Sequence, residues 1–466
     1  MIPVLQNRWV IKKGYLQYYG LRSKPYTFNN KITIYKKTEK IIHSFDGIRK
    51  INDIKINSQI KKLIRRKVIV DVLEVKKRIE SFEQATFCKK CCANDYMIPG
   101  LQFNKSGICP ICENMPSLSL IKDVLPIRNI IEEDPNGKYD VAIFYTGGKD
   151  SSYLLYYLSI VLNLRVLALT WEIPFMSENA KKSMNNAVSL LKNTDFIKKS
   201  LTPKQQSVIY KKAYELQNNT CICPFAAYIL FIDDLRKFKV KYLVLGNEPA
   251  QPINLIFNNL APINFFNPIF QKLFRLIYNL TRILKFRKPL KHGQIEFLML
   301  LETLAYGKPE TFGRKNTKNP IISNIHKSLS EADDLMKTFS KTIKQCSLDN
   351  NLPALVHVDF NDISEGTYKW SDTKKVLKEK IGWQESSFKN KGLHTSCNIE
   401  SCKEYSQFKA FYDMKSEIIP FSAIELCIAV NMGNISREDA IKEIRENSGF
   451  SNIPPYETKQ MMESFK

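Results

Sequence analysis

Residues Tyr139-Asp-Val-Ala-Ile-Phe-Tyr145 run directly into Thr146-Gly-Gly-Lys-Asp-Ser151 and on into Ser152-Tyr-Leu-Leu-Tyr-Tyr-Leu158. A short apolar run, a Gly-Gly turn and a breaker-free stretch of helical length predict a strand, a tight loop and a helix start, in that order. Adjacent glycines let the backbone take positive φ and approach a ligand closely. The first N–H groups of the helix then face the same spot, where the macrodipole favours an anion. Lys149 adds a point charge, and the Ser151 hydroxyl adds a donor at the helix start.

The loop is not a Walker A motif, because no Gly-Lys-Ser/Thr triplet follows a four-residue gap. It resembles the PP-loop of the ATP pyrophosphatase superfamily, whose pattern Ser/Thr-Gly-Gly-x-Asp-Ser is matched by Thr146, Gly147, Gly148, Asp150 and Ser151. The resemblance implies an adenine nucleotide alpha hydrolase-like fold. It also implies cleavage of ATP between the α- and β-phosphates, leaving AMP on a substrate oxygen.

Strands are expected near Tyr139–Tyr145, Arg165–Thr170 and Tyr242–Leu245, with a further one at Val356–Phe360 and helical stretches between. That alternation predicts an α/β fold with a doubly wound parallel sheet. Ligands of such sheets bind beyond the carboxyl ends of the strands. ATP is therefore expected at Thr146–Ser151, with Thr170 and Trp171 near adenine and Gly246 allowing close approach of ribose or substrate. Lys149, Asp150 and Ser151 are the candidate catalytic residues, Asp150 as a Mg²⁺ ligand and Lys149 beside the leaving pyrophosphate.

Cys88-Lys-Lys-Cys91 and Cys109-Pro-Ile-Cys112 are two CxxC pairs, each able to place two thiolates on one metal through a tight turn. Four thiolates suit a closed, structural Zn²⁺ site, with Gly107 and Pro110 in keeping with a zinc ribbon; Cys92 competes with Cys91 for the register. Paired cysteines of this kind point to metal rather than to a disulfide framework. A ribbon placed just before such a loop resembles the N-acetyl sugar amidotransferases, and Gly382-Trp383 and Ile435-Ser-Arg-Glu-Asp-Ala-Ile441 are similar to that family's C-terminal part. There the resemblance implies a glutaminase partner whose ammonia displaces AMP from an activated amide oxygen of a sugar-like small molecule.

A second cysteine set departs from that pattern: Cys221-Ile-Cys223, then Cys397 and Cys402. The order of Cys221, Cys223 and Cys397 resembles the PP-loop sulfurtransferases, which thiolate a peptide or RNA acceptor. In that family the cysteines hold an iron–sulfur cluster or carry sulfur from a donor; soft thiolates suit both roles. A nucleotide-binding adaptor without catalysis is a third reading, against which the intact loop motif stands.

Five regions are expected: residues 1–87, a small α+β winged-helix-like docking module; 88–116, the ribbon; 125–250, the ATP-binding α/β domain; 251–345, a basic helical insertion; and 346–466, completing the α/β domain with a helical C-terminal region. For 1–87, peptide recognition, docking and nucleic-acid binding through Lys61, Lys62, Arg65, Arg66 and Lys67 stay open. In 269–288 apolar residues recur at helical spacing with Lys272, Arg275, Arg282 and Lys285 between them. This predicts an amphipathic helix, either buried in the insertion or lying on a membrane surface. The net charge of +24 agrees with phosphate-rich ligands or anionic surfaces. With 44% hydrophobic residues the chain can build sizeable cores. No transmembrane segment or export signal is read, so a cytoplasmic location is expected.

Overall fold

The computed structural model describes residues 1–118, 133–172, 176–217, 222–248, 250–309, 319–364, 368–385 and 398–447, together with residues 131, 460 and 463. At its centre lies a five-stranded parallel sheet. Its strands, in spatial order, are Ala354–Asp359, Tyr242–Asn247, Val141–Phe144, Val166–Trp171 and Thr194–Lys199. All four neighbouring pairs are parallel. Alternation along each strand sends neighbouring residues to opposite faces, and both faces are covered. Val141, Ile143, Val166, Ala168, Val244 and Val356 enter one core. Ala142, Leu167, Leu169, Leu243 and Leu355 enter the other. This doubly wound α/β architecture is the fold class expected from the sequence.

Thr194–Lys199 was not foreseen. It is an edge strand whose outer positions are charged and exposed, so it lacks the apolar run that marks its neighbours. The chain grows outward from Val141–Phe144 through two strands, then crosses back to place Tyr242–Asn247 on the other side. The switch point therefore lies between Val141–Phe144 and Tyr242–Asn247.

The segment expected as an insertion is the long crossover that follows Tyr242–Asn247. Its helices Gln294–Tyr306 and Asp333–Asp349 line the second core with Phe297, Leu301, Phe339 and Ile343. Before them stands the predicted amphipathic helix, Pro268–Leu284. Most of its apolar stripe is exposed, while Tyr278 enters the second core; of the two readings of this helix, burial within the insertion holds only for that inner edge.

The cysteine module joins the first core, where Cys88, Cys91, Cys109, Cys112 and Met115 pack with sheet residues and with Ile424 and Cys427 of helix Phe421–Asn431. The N-terminal region holds more strand than expected. Trp9–Lys12, Tyr15–Tyr18 and Lys31–Thr33 form an antiparallel meander, and Pro3–Leu5 pairs with Ile69–Asp71. Helices Lys36–His43 and Ser58–Arg65 close a small core around Leu16, Ile42, Ile60 and Leu63. Arg8 ties this module to the C-terminal helices: it is buried, and its guanidinium donates to the carbonyls of Tyr19, Phe411 and Tyr412. No described helix is long and apolar enough to cross a membrane.

Candidate nucleotide site and metal centre

The loop Thr146–Ser151 follows the central strand at the switch point. Gly147 sits at φ +73, and a Cβ there would lie 2.5 Å from the Ala180 carbonyl oxygen. Both the conformation and the contact therefore exclude a side chain. Gly148 has extended backbone and is the N-cap of helix Lys149–Tyr156, with no side-chain cap bond. The first N–H groups of that helix are thus left to the loop. Ser151 folds back across it: its Oγ accepts from Thr146 N at 3.3 Å and lies 3.2 Å from Thr146 Oγ1. Trp383 closes the other side, its indole N–H donating to the Gly147 carbonyl at 3.1 Å.

Lys149 is 8% exposed. Its Nζ lies 2.5 Å from Glu248 Oε1, 2.7 Å from Asp150 Oδ1 and 2.8 Å from the Tyr368 hydroxyl. The Tyr368 O–H in turn donates to Asp150 Oδ1 at 3.2 Å. The rings of Tyr368 and Trp370 lie 4.8 and 5.0 Å from the ammonium. Burial works against the ammonium, but Asp150 and Glu248 outweigh it and hold the Lys149 pKa above the ordinary lysine value. Burial, then Asp150 and Glu248, push the Tyr368 phenol well above its usual range, so it stays a neutral donor. One cation thus faces two carboxylates. Glu248 is buried, while Asp150 remains partly open to solvent.

The close approach expected at Gly246 is taken by the protein itself: a Cβ there would lie 2.4 Å from the Phe360 ring. Thr170 and Trp171 end the Val166–Trp171 strand. Thr170 Oγ1 and Trp171 Nε1 are both buried without a hydrogen-bond partner among the described residues. The sequence reading missed Tyr368, Trp370 and the pairing of Glu248. The signal was present, since a lysine following Gly-Gly and buried at a helix start requires a counter-charge.

The sulfur atoms of Cys88, Cys91, Cys109 and Cys112 lie within 4.8 Å of one another, and all four residues are buried. Cys88 and Cys112 Sγ are 3.8 Å apart, and Cys91 and Cys109 Sγ 3.6 Å. Thiolates at ~2.3 Å from one tetrahedral ion stand about 3.8 Å from each other, so the set fits a single ion. Backbone N–H groups of Lys90, Ala93, Cys109 and Cys112 donate to these sulfurs, and Asn431 Nδ2 donates to Cys112 Sγ at 3.2 Å. Cys92 is excluded from the set and faces Cys427, with 3.8 Å between the sulfurs; the register is that of Cys91. Arg437 donates to the carbonyls of Cys88 and Cys91, bringing a positive charge to the cysteine turns. Ser436 caps helix Arg437–Glu446 by accepting from Asp439 N.

Beside the cysteine centre opens a cavity of ≈ 410 Å³ lined by Lys90, Cys112, Met115, Asn361 and Asn431 among others. Asn361 Oδ1 accepts from the Tyr368 backbone N–H, linking this cavity to the residue that holds Lys149 and Asp150. Cys221 and Cys397 lie outside the described residues, and Cys223 is described only as the first residue of helix Cys223–Lys237.

No protein-family profile matches this chain, and no curated protein matches it. Among solved structures, the U34-tRNA thiolase of Methanococcus maripaludis, solved with its 4Fe–4S cluster, is similar at 14% identity. The match covers 57% of this chain and 86% of that one, with a TM-score of 0.23. At that score the likeness carries no weight, and function is read from the chain's own residues.

Replacing Lys149 with alanine leaves Glu248 buried without its cation, an arrangement that costs ~3–5 kcal/mol. Denaturant unfolding of Lys149→Ala is expected to show a loss of that order, partly recovered in the double variant Lys149→Met/Glu248→Gln. An unchanged midpoint for the single variant would contradict the buried pairing.

Proposed function

We propose that the chain is an enzyme of the PP-loop ATP pyrophosphatase type, which adenylates a carbonyl or amide oxygen of its acceptor. The observation that carries this reading is the uncapped helix start at Gly148–Ser151, at the switch point of a parallel sheet, with the complete motif around it. The acceptor oxygen attacks the α-phosphorus, the α–β bridging bond breaks, and pyrophosphate departs with that electron pair. Loop and helix N–H groups stabilise the charge on the departing group. Asp150 would hold Mg²⁺, which neutralises phosphate charge when bound. Lys149 fixes Asp150 and Glu248 in place. Thr170, at the carboxyl end of the neighbouring strand, is the proposed nucleoside contact, and the cavity beside Asn361 is the proposed acceptor entry.

AMP then leaves in exchange for an incoming atom. For nitrogen transfer to a sugar-like N-acetyl group, the support is the resemblance of Gly382-Trp383 and Ile435-Ser-Arg-Glu-Asp-Ala-Ile441 to the C-terminal part of the amidotransferases; it requires an ammonia-producing partner. Sulfur transfer to RNA or a peptide is supported by the order of Cys221, Cys223 and Cys397; it requires a sulfur donor.

With α-labelled ATP, Mg²⁺ and acceptor, the products are expected to be AMP and pyrophosphate, with turnover reduced on the order of 100-fold or more in Asp150→Ala. Two acceptor mixtures decide the atom: a nucleotide-linked N-acetyl sugar with ammonium, and bulk tRNA with sulfide. Cys221→Ser and Cys397→Ser should spare the first reaction and remove sulfur from the product of the second. Release of ADP and phosphate would overturn the proposal.

The cysteine centre is proposed to hold one structural Zn²⁺. Elemental analysis is expected to find one zinc per chain, lost in Cys109→Ser together with the ribbon's fold, because structural zinc binding is coupled to folding. Iron with acid-labile sulfide that disappears in Cys109→Ser would contradict the assignment.

A further inference from the structure

Helix Pro268–Leu284 is amphipathic in the inverted sense. Its apolar stripe, formed by Ile269, Leu273, Leu276, Ile277, Leu280 and Leu284, faces outward, with Ile269 and Leu284 each 79% exposed. Its polar side faces the protein. Arg282 is fully buried, its guanidinium donating to the carbonyls of Lys288 and Ser347 and to Asn350 Oδ1. Gln271 is buried and donates to the Phe265 carbonyl, Arg275 pairs with Glu296, and Asn279 exchanges two bonds with Leu290. A helix stabilised by a core does the opposite. Here polar anchors, together with the fully buried Tyr278 and its neighbour Phe274, fix the helix on the second core, and the wider apolar stripe is left for something else.

The stripe continues at both ends. Ile263 and Phe265 are exposed before it. After it, Phe286 is completely exposed, in left-handed backbone at φ 55, a conformation rare for a bulky residue. Asn267 caps the helix start by accepting from Ile269 N and Phe270 N, so the element is well defined. At ~1.5 Å per residue its 17 residues make an apolar ridge about 25 Å long. A contiguous exposed patch of this kind marks an interaction surface.

Charge identifies the occupant. Between Glu248 and Glu296 the chain carries no Asp or Glu, and four of its seven Lys or Arg are exposed. Lys272 flanks the stripe, and Lys285, Lys288 and Lys291 follow its C-terminal end, all exposed. A second copy of this chain would bring the same basic fringe against itself. An anionic lipid surface attracts that fringe and accepts an aliphatic ridge without needing a matching groove. We propose that Pro268–Leu284, with Phe286 and the basic residues after it, is a membrane-surface helix that docks the enzyme on anionic bilayers without crossing them. This inference is independent of the adenylation reading, because it uses none of the loop residues.

The test is co-sedimentation of the full chain, without ATP, with vesicles of phosphatidylglycerol and phosphatidylcholine or of phosphatidylcholine alone. The wild type should bind the anionic vesicles, and about 0.5 M salt should weaken binding by screening. Leu273→Glu/Leu280→Glu should lower partitioning about tenfold or more, with an unchanged thermal melt because both side chains are exposed. Lys285→Glu/Lys288→Glu should weaken binding to the anionic vesicles while leaving the stripe intact. A wild type that stays in the supernatant, variants that bind like wild type, or a concentration-dependent dimer dissolved by Leu273→Glu/Leu280→Glu would each overturn it.

Discussion

The buried ammonium of Lys149 is the constraint around which the site is assembled. A lone charge at that depth is costly, and it is met by one carboxylate from its own helix, Asp150, and one from the end of the neighbouring strand, Glu248. Those two elements lie on either side of the switch point. The ion pair therefore joins the two halves of the sheet where they diverge and sets the pitch of the helix whose N-terminus faces the loop. Tyr368 and Trp370 enclose it and bring a distant part of the chain to the same place.

The C-terminal region completes both centres instead of forming a separate unit. Trp383 holds the Gly147 carbonyl, Asn431 and Arg437 hold the cysteine turns, and Phe411 and Tyr412 receive Arg8 from the N-terminal module. The loop and the cysteine centre are thus both held by C-terminal residues, each from a different segment, and the cavity at Asn361 adjoins the cysteine centre. Cys88, Cys91, Cys109 and Cys112, Trp383, and Ile424 and Cys427 of helix Phe421–Asn431 belong to one packed core.

Local signals made the centre of the fold readable. The apolar run before Thr146, the Gly-Gly pair and the CxxC spacings each impose geometry within a few residues, and the strand, the positive φ at Gly147 and the four-sulfur set all follow. What stayed hidden depends on distance. Thr194–Lys199 is held by its neighbour more than by its own composition. Glu248 and Tyr368 are ordinary residues until the fold brings them to Lys149. Gly246 reads as room for a ligand, yet the room is filled by Phe360, which no pattern near Gly246 reveals. For Pro268–Leu284 the periodicity shows the two faces but not which one turns inward. Buried partners for Arg282 and Gln271 decide that, and they come from elsewhere in the chain.

The central claim is that the loop, as held by this network, is a nucleotide phosphate site. Calorimetric titration of Mg·ATP tests it without knowledge of the acceptor. The account predicts saturable binding at one site per chain, competed by pyrophosphate, and lost in Gly147→Val because a side chain there meets the Ala180 carbonyl at unfavourable φ. Absence of saturable binding by the wild type, or undiminished binding by a folded Gly147→Val protein, would contradict it.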